Sequence, residues 1–393
     1  MSTLTRQLWP QKPRVFLGFT LTPAVTVAFA IAAVILGVGL YATIVRFFRG
    51  LGASTNLNDL APWGLWIGFD VMSGVALAAG GFVIAATVHI FHREKYEPLL
   101  RPAILTAFLG YLLVVVGLLY DLGQPWRLWH ALIYWNPHSV LFEVAWCVMI
   151  YTAVLALEFA PMLFERLRMP RPRRILRAIT IPLIILGITL STLHQSSLGS
   201  MFLIFPEKLS ALWYTPILPL LFFTSAVAVG LAMVTVESLL SARFMRHEAH
   251  MDLLNGVARA TAIVLLIYAL LKVVDVTGRM AWTALAPFDW TDAAWLAELA
   301  LTVLLPAVLL LIPSVRASPG KLLAAQSLVV IGVIANRMTL AVPSLVAANN
   351  GSYFPAPMEF AVTLALLTGG VVAFALAAKH LPVFEEHGKM PLT

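Results

Sequence analysis

Apolar residues run in ten long blocks along the chain, near 21–47, 64–90, 102–121, 139–160, 175–198, 212–240, 257–276, 293–313, 322–346 and 358–380, separated by short polar stretches. About 20 consecutive apolar residues cross the hydrocarbon core as a helix, so the pattern predicts an all-α, polytopic membrane protein with ten spans. The ninth block is the weakest, because Asn336 and Arg337 interrupt it. Lysine and arginine sort by side under this division. Nineteen fall on the side of the N-terminus, among them Arg6, Lys12, Arg14, Arg246, Lys389 and the run from Arg166 to Arg177. Only seven, Arg46, Arg49, Arg127, Lys208, Lys272, Arg279 and Arg337, fall on the other side or in the outer helix halves. The positive-inside bias places both termini in the cytoplasm, and an odd number of spans would scramble that sorting.

Composition agrees and narrows the class. Hydrophobic residues make up 60% of the 393 and charged residues 11%, against about 25% in ordinary soluble domains. The net charge of +7 sits between the apolar blocks, which is the pattern of membrane topology and not of a nucleic-acid groove. The lone cysteine, Cys147, can neither close an internal disulfide nor hold an iron–sulfur cluster, so any such carrier belongs to another chain. The first 20 residues are too polar for a signal sequence, and the run after them reads as a retained anchor helix. Loops on the outer side are short apart from 122–138, about 277–292 and 347–357. No globular domain is expected, and 1–393 reads as one membrane domain.

Depth follows from the division into spans. The stretch from Ile184 to Ser200, IILGITLSTLHQSSLGS, ends in a polar knot of Ser191, Thr192, His194, Gln195, Ser196 and Ser197 while still inside a span. A charge at mid-helix costs roughly 2.5 to 3.5 kcal/mol, so an ionisable residue there is a functional candidate. At 1.5 Å per residue, Asp70, Tyr111, Asp121, Glu143 and His194 fall in an outer layer about 15 Å thick. The later blocks add Lys272, Asp275, Glu298, Arg337 and Glu359. Lys272 and Asp275, three apart, are expected to pair on one helix face, and Arg337 with Glu359 across blocks nine and ten. Trp63, Trp66, Trp126, Trp129, Trp135, Trp213 and Tyr214 read mostly as an interfacial aromatic belt.

Two chemistries compete for this layer. A b-type haem needs two facing axial ligands, and His194 is the one histidine well inside the outer half of a span, so haem is not expected. A quinone asks for an apolar cleft, hydrogen-bond donors at its oxygens and a source of protons. His194 and Tyr111 serve as donors, Gln195, Trp66 and Asp70 line the same site, and Glu143 or Asp121 relays protons. Alternatively Glu143 is a buried acid bonded to a backbone carbonyl. Glu158, about 22 Å deeper on the same helix, suggests a transmembrane proton path, although a lining role beside the basic loop that follows is the preferred reading. The same polar layer would also suit a secondary transporter or proton channel, but it is displaced outward and no repeat between halves is evident.

Several runs together resemble the NrfD/PsrC family of membrane oxidoreductase subunits, and within it the HybB-type subunit of [NiFe] hydrogenases. They are PWGLWIGFDVMSG (62–74), RPAILTAFLGYLL (101–113), DLGQPWRLW (121–129), NPHSVLFEVAWCVMIYTAVLALEFAPMLFERL (136–167), TLHQSSLGSM (192–201), the Asn336–Arg337 pair and YFPAPMEF (353–360). The resemblance implies two four-helix bundles with flanking helices, blocks two to five (about 64–198) carrying the quinone and proton site and blocks six to nine (about 212–346) forming the second. It implies a bacterial inner-membrane subunit without haem or clusters of its own, which docks a periplasmic ferredoxin-like iron–sulfur subunit. Through that partner a catalytic subunit such as a [NiFe] hydrogenase exchanges electrons with menaquinone or ubiquinone. Tyr111, Glu143 and His194 match the residues tied to quinone and proton handling. A polysulfide, molybdopterin or sulfite-reduction-linked complex would fit as well, and whether the chain is itself an enzyme stays open.

Overall fold

A computed structural model describes residues 15–17, 19–20, 22–245, 248–285, 288–344 and 353–384. Arg6, Lys12, Arg14, Arg246 and Lys389, counted above for orientation, lie outside these residues, as does most of the loop 347–357. Among the described residues ten helices are long and apolar enough to cross a membrane. They are α1 (Pro23–Arg49), α2 (Trp66–Ile90), α3 (Glu94–Asp121), α4 (Val140–Arg166), α5 (Thr180–Ile204), α6 (Leu218–Met245), α7 (Met251–Gly278), α8 (Trp290–Leu311), α9 (Pro319–Val342) and α10 (Pro357–His380). Each falls on one of the ten apolar blocks, and the chain is a multi-pass integral membrane protein. The ends are set by ordinary signals. Thr22 and Ser139 accept from the backbone N–H of Val25 and Phe142, and Pro319 and Pro357 open α9 and α10 where their missing N–H has no intrahelical role. α3 begins eight residues before its apolar block because Glu94–Leu99 winds as a tight 3-10 turn into it.

Helices α2 to α5 close one ring: α3 packs on α2 and α4, and α5 on α4 and on the later part of α2. Helices α6 to α9 close another, with α6 against both α7 and α9, and α8 between α7 and α9. The rings join where α6 meets α5 and α2, and where α9 meets the start of α2. Helices α1 and α10 pair with each other on the outside, α10 touching α3 and α2. Burial follows this plan. In their most apolar stretches α2 and α6 are 72% and 67% buried, whereas α1 and α10 are each 11% buried and give their surface to lipid.

The α2–α6 crossing is backbone on backbone. A Cβ on Gly80 would stand 2.8 Å from Val234 and 2.9 Å from the Gly230 carbonyl oxygen, and one on Gly230 would stand 2.8 Å from the Gly80 nitrogen. Without a hydrophobic driving force between helices in lipid, such close approach of small residues is what holds them together. α2 is not a regular helix. Wide π-type turns at Trp66–Ser73 and Ala86–Ile90 flank a break at Ala78 and Ala79, and a further π-type segment in α8, Glu298–Leu304, begins at a buried acid.

Candidate functional site

The polar knot of α5 divides by face. Thr189, Thr192, Ser196 and Ser200 turn their hydroxyls back to the carbonyls four residues earlier, at 2.8 to 3.2 Å, and so need no partner from another helix. Ser191, His194, Gln195 and Ser197 point into the first ring and are 0 to 4% exposed. From α3, Tyr111, also fully enclosed, brings its hydroxyl to 3.1 Å from His194 Nδ1. Tyr151 of α4 packs edge-on against the Tyr111 ring at 4.6 Å. Ser191 approaches both tyrosine hydroxyls, and Gln195 approaches that of Tyr111 while its Nε2 donates to the Val75 carbonyl of α2 at 3.0 Å. One turn further along α5, Ser197 Oγ donates to Glu143 Oε1 at 2.7 Å. Four helices thus meet around the cluster of Tyr111, His194 and Gln195.

His194 Nε2 is buried with no hydrogen-bond partner among the described residues. A buried polar atom left so costs about 1–3 kcal/mol, which native structures accept mainly where a ligand or function uses it. Whichever tautomer is present, Nδ1 is engaged by Tyr111 and Nε2 is available as donor or acceptor.

The seven candidate residues do not all share this site. Tyr111, His194, Gln195 and Glu143 come together. Trp66, Asp70 and Asp121 face the other way, towards α1 and α10. Trp66 Nε1 donates to the Glu359 carbonyl oxygen at 3.2 Å, and Asp70 accepts from Thr363 Oγ1 at 2.7 Å. Asp121 faces Arg46 and Glu359 electrostatically, and Arg46 itself caps α3 through the carbonyls of Tyr120 and Leu122, both at 2.6 Å. Tyr353 donates to Glu359 and accepts from the Leu65 N–H at 3.0 Å, and burial first, then that bond to Glu359, pushes its hydroxyl above the ordinary range.

Two expected pairs are replaced. Lys272 pairs with Glu298 of α8 at 2.5 Å and not with Asp275, which is held by Arg279 at 2.7 Å and by Thr215 at 2.6 Å. Arg337 bonds to Asn336, Ser225 and the Phe222 carbonyl and lies 3.5 Å above the Phe222 ring, inside the second ring and apart from Glu359. Glu359 instead takes the N–H groups of Asn56 and Ala356. Glu158 lines a cavity at the basic end of α4 beside Arg173 and Arg177. Tyr151 was not singled out by sequence reasoning. No spacing in the sequence marks it, since its eight residues from Glu143 set it about 80° round α4.

Fold and site together define a polytopic helical membrane protein with an enclosed polar centre in one of two bundles. The family described as "Polysulphide reductase, NrfD" matches residues 53–349, and the chain belongs to it. A protein of Nitratidesulfovibrio vulgaris is 42% identical over 370 residues, covering 91% of this chain and 94% of its own. The "Probable Ni/Fe-hydrogenase 2 b-type cytochrome subunit" of Escherichia coli is 32% identical, covering 86% and 87%. The "Menaquinone reductase, integral membrane subunit" of Nitratidesulfovibrio vulgaris is 29% identical, covering 92% of each. The name of the Escherichia coli relative speaks of a b-type cytochrome. In this chain His194 is met at Nδ1 by Tyr111, with a serine and an amide beside that tyrosine, and this set does not fit a haem ligated by two histidines.

Proposed function

We propose that this chain is the quinone-reactive membrane subunit of a multisubunit respiratory oxidoreductase, lying in a bacterial inner membrane with its basic face in the cytoplasm. Electrons pass between an iron–sulfur partner docked on the opposite face and the quinone pool, and a hydrogenase-type catalytic subunit lies beyond that partner. The observation that carries this reading is the enclosed His194, with one ring nitrogen on Tyr111, the other unpartnered, and the carboxyl group of Glu143 one turn away through Ser197.

Reduction of a quinone takes up two electrons and two protons. His194 Nε2 is the group that meets a quinone oxygen, Tyr111 fixes the imidazole through Nδ1, and Glu143 with Ser197 moves protons to it from the start of α4. The names of the relatives, one tied to a hydrogenase and one to menaquinone, support a quinone-linked complex. A transporter would need its broken helix to line a cavity. The break in α2 is instead filled by the Gly80–Gly230 contact.

His194→Ala and Glu143→Gln should each slow quinone turnover by roughly 100-fold, the usual scale for losing a proton-transfer group. Dye-linked activity of the attached catalytic partner should stay intact. Normal quinone rates in both variants would overturn the proposal.

A further inference from the structure

The connection between α4 and α5 carries the densest positive charge in the chain, and it is folded. Pro170–Ala178 forms a short helix that packs on the end of α4, with Arg171 and Arg174 on its exposed side. Under this helix, between the basic ends of α3, α4 and α5, lies a cavity of about 200 Å³. Its rim holds Arg101, Arg173 and Arg177. A single carboxylate, Glu165, answers them there, at 2.6 Å from Arg173 and 3.5 Å from Arg101. Arg173 Nε is buried without a partner among the described residues. Below the rim the wall is apolar, with Ile104 from α3, Met162 from α4 and Leu183 from α5. Glu158 closes the inner end, two turns or about 10 Å along α4 from Glu165.

We propose that this cavity holds an anionic phospholipid, its headgroup phosphate on Arg173 and Arg177 and the start of an acyl chain against Ile104, Met162 and Leu183. The rim has more guanidinium than carboxylate, and guanidinium is the group that binds phosphate oxygens in pairs. A free phosphate would satisfy the rim and leave the apolar wall idle, whereas an amphiphile uses both. The height also fits, because a basic helix at the ends of the spans lies at the level of the headgroups. Occupied, the site pins the α4–α5 connection to α3. It does so independently of any reaction at His194.

The full-length chain, purified with its attached partners and stripped of lipid by detergent exchange, would be titrated by native mass spectrometry. The probes are phosphatidylglycerol, phosphatidylcholine and inorganic phosphate. One phosphatidylglycerol should bind in preference to phosphatidylcholine. Arg173→Gln with Arg177→Gln should weaken it by roughly tenfold or more. Arg174→Gln, which removes one charge from the exposed side, should leave it unchanged. Ile104→Trp keeps every arginine and fills the wall, so it too should expel the lipid, and it carries the test if the double variant does not fold. Equal retention of the two lipids, or unaltered binding in the double variant or in Ile104→Trp, would overturn the proposal. So would inorganic phosphate binding that Ile104→Trp leaves intact while phosphatidylglycerol does not bind.

Discussion

The two four-helix rings place a tyrosine at the same station and surround it with opposite chemistry. Tyr111 and Tyr268 each stand ten residues before the last residue of their helix, Asp121 and Gly278. In the first ring the tyrosine meets an imidazole, an amide and a serine hydroxyl, with no ion pair at the centre. In the second it meets an ion pair. Tyr268 donates to Glu298 at 3.2 Å, and Glu298 holds Lys272, whose ammonium sits 4.9 to 5.6 Å from the rings of Trp295, Trp213 and Tyr268. Arg337 adds a second cation stacked on Phe222. A buried cation held by a carboxylate and by aromatic faces is a lock, since moving either charge exposes the other to an apolar interior. An imidazole with a free nitrogen is poised for exchange. Under the proposed function, chemistry falls to the first ring and rigidity to the second.

The sharpest way to break this comparison is to remove half of the lock. Lys272→Met leaves Glu298 buried without its partner and should cost about 3–5 kcal/mol, read as loss of folded protein in detergent melts. The double change Lys272→Met with Glu298→Leu should recover most of that loss, because well-packed apolar residues replace buried ion pairs at little cost. Quinone turnover per folded molecule should stay near normal in the double variant. A single variant as stable as the parent would mean that the pair locks nothing.

The tyrosines give a matched and smaller test. Tyr268→Phe removes a hydrogen bond to a charged group and should cost about 1.5–3 kcal/mol of stability without altering turnover. Tyr111→Phe removes a bond between uncharged groups. It should cost about 1 kcal/mol or less, while turnover falls by roughly tenfold because His194 loses the group that orients it. If the two variants exchanged these signatures, the assignment of the rings would be reversed.

Why the sequence spoke clearly about some of this and not the rest has a physical reason. Span number and depth were legible, since twenty apolar residues and 1.5 Å per residue leave little freedom. Tyr111 and His194 accordingly meet at one height. Rotation about the helix axis was not legible. In lipid every face of a span can be apolar, so the hydrophobic pattern does not say which side faces a neighbour. Asp121 shares a layer with Tyr111, yet ten residues advance the helix to a position about 80° away, and Asp121 turns to Arg46. Trp66 and Asp70, four apart, turn together towards α10 for the same reason. Pairing by sequence distance failed where a better partner stood on another helix, as Glu298 does for Lys272.

The smallest expected effect tests whether the second ring is rigid down to its ends. Asp289 caps α8, the helix that carries Glu298. Its carboxylate accepts from the N–H groups of Thr291 at 2.7 Å and Asp292 at 3.0 Å, and Asp292 answers by accepting from the Asp289 N–H at 3.0 Å. The Thr291 hydroxyl, also at 2.7 Å, contributes most to holding the Asp289 carboxyl below its ordinary range. A group depressed on folding stabilises above its unfolded value and loses that contribution as the pH falls through its folded value. Asp289→Ala should therefore cost about 1 kcal/mol at neutral pH. The gap between variant and parent should begin to narrow below roughly pH 4, the unfolded value, and close once the pH has fallen through the lower folded value. Turnover should not change at any pH, because the cap holds the ring to which the proposed function gives no chemistry. A change in the pH profile of quinone reduction would show that the end of α8 communicates with His194, and the division between a reactive ring and a rigid one would then fail.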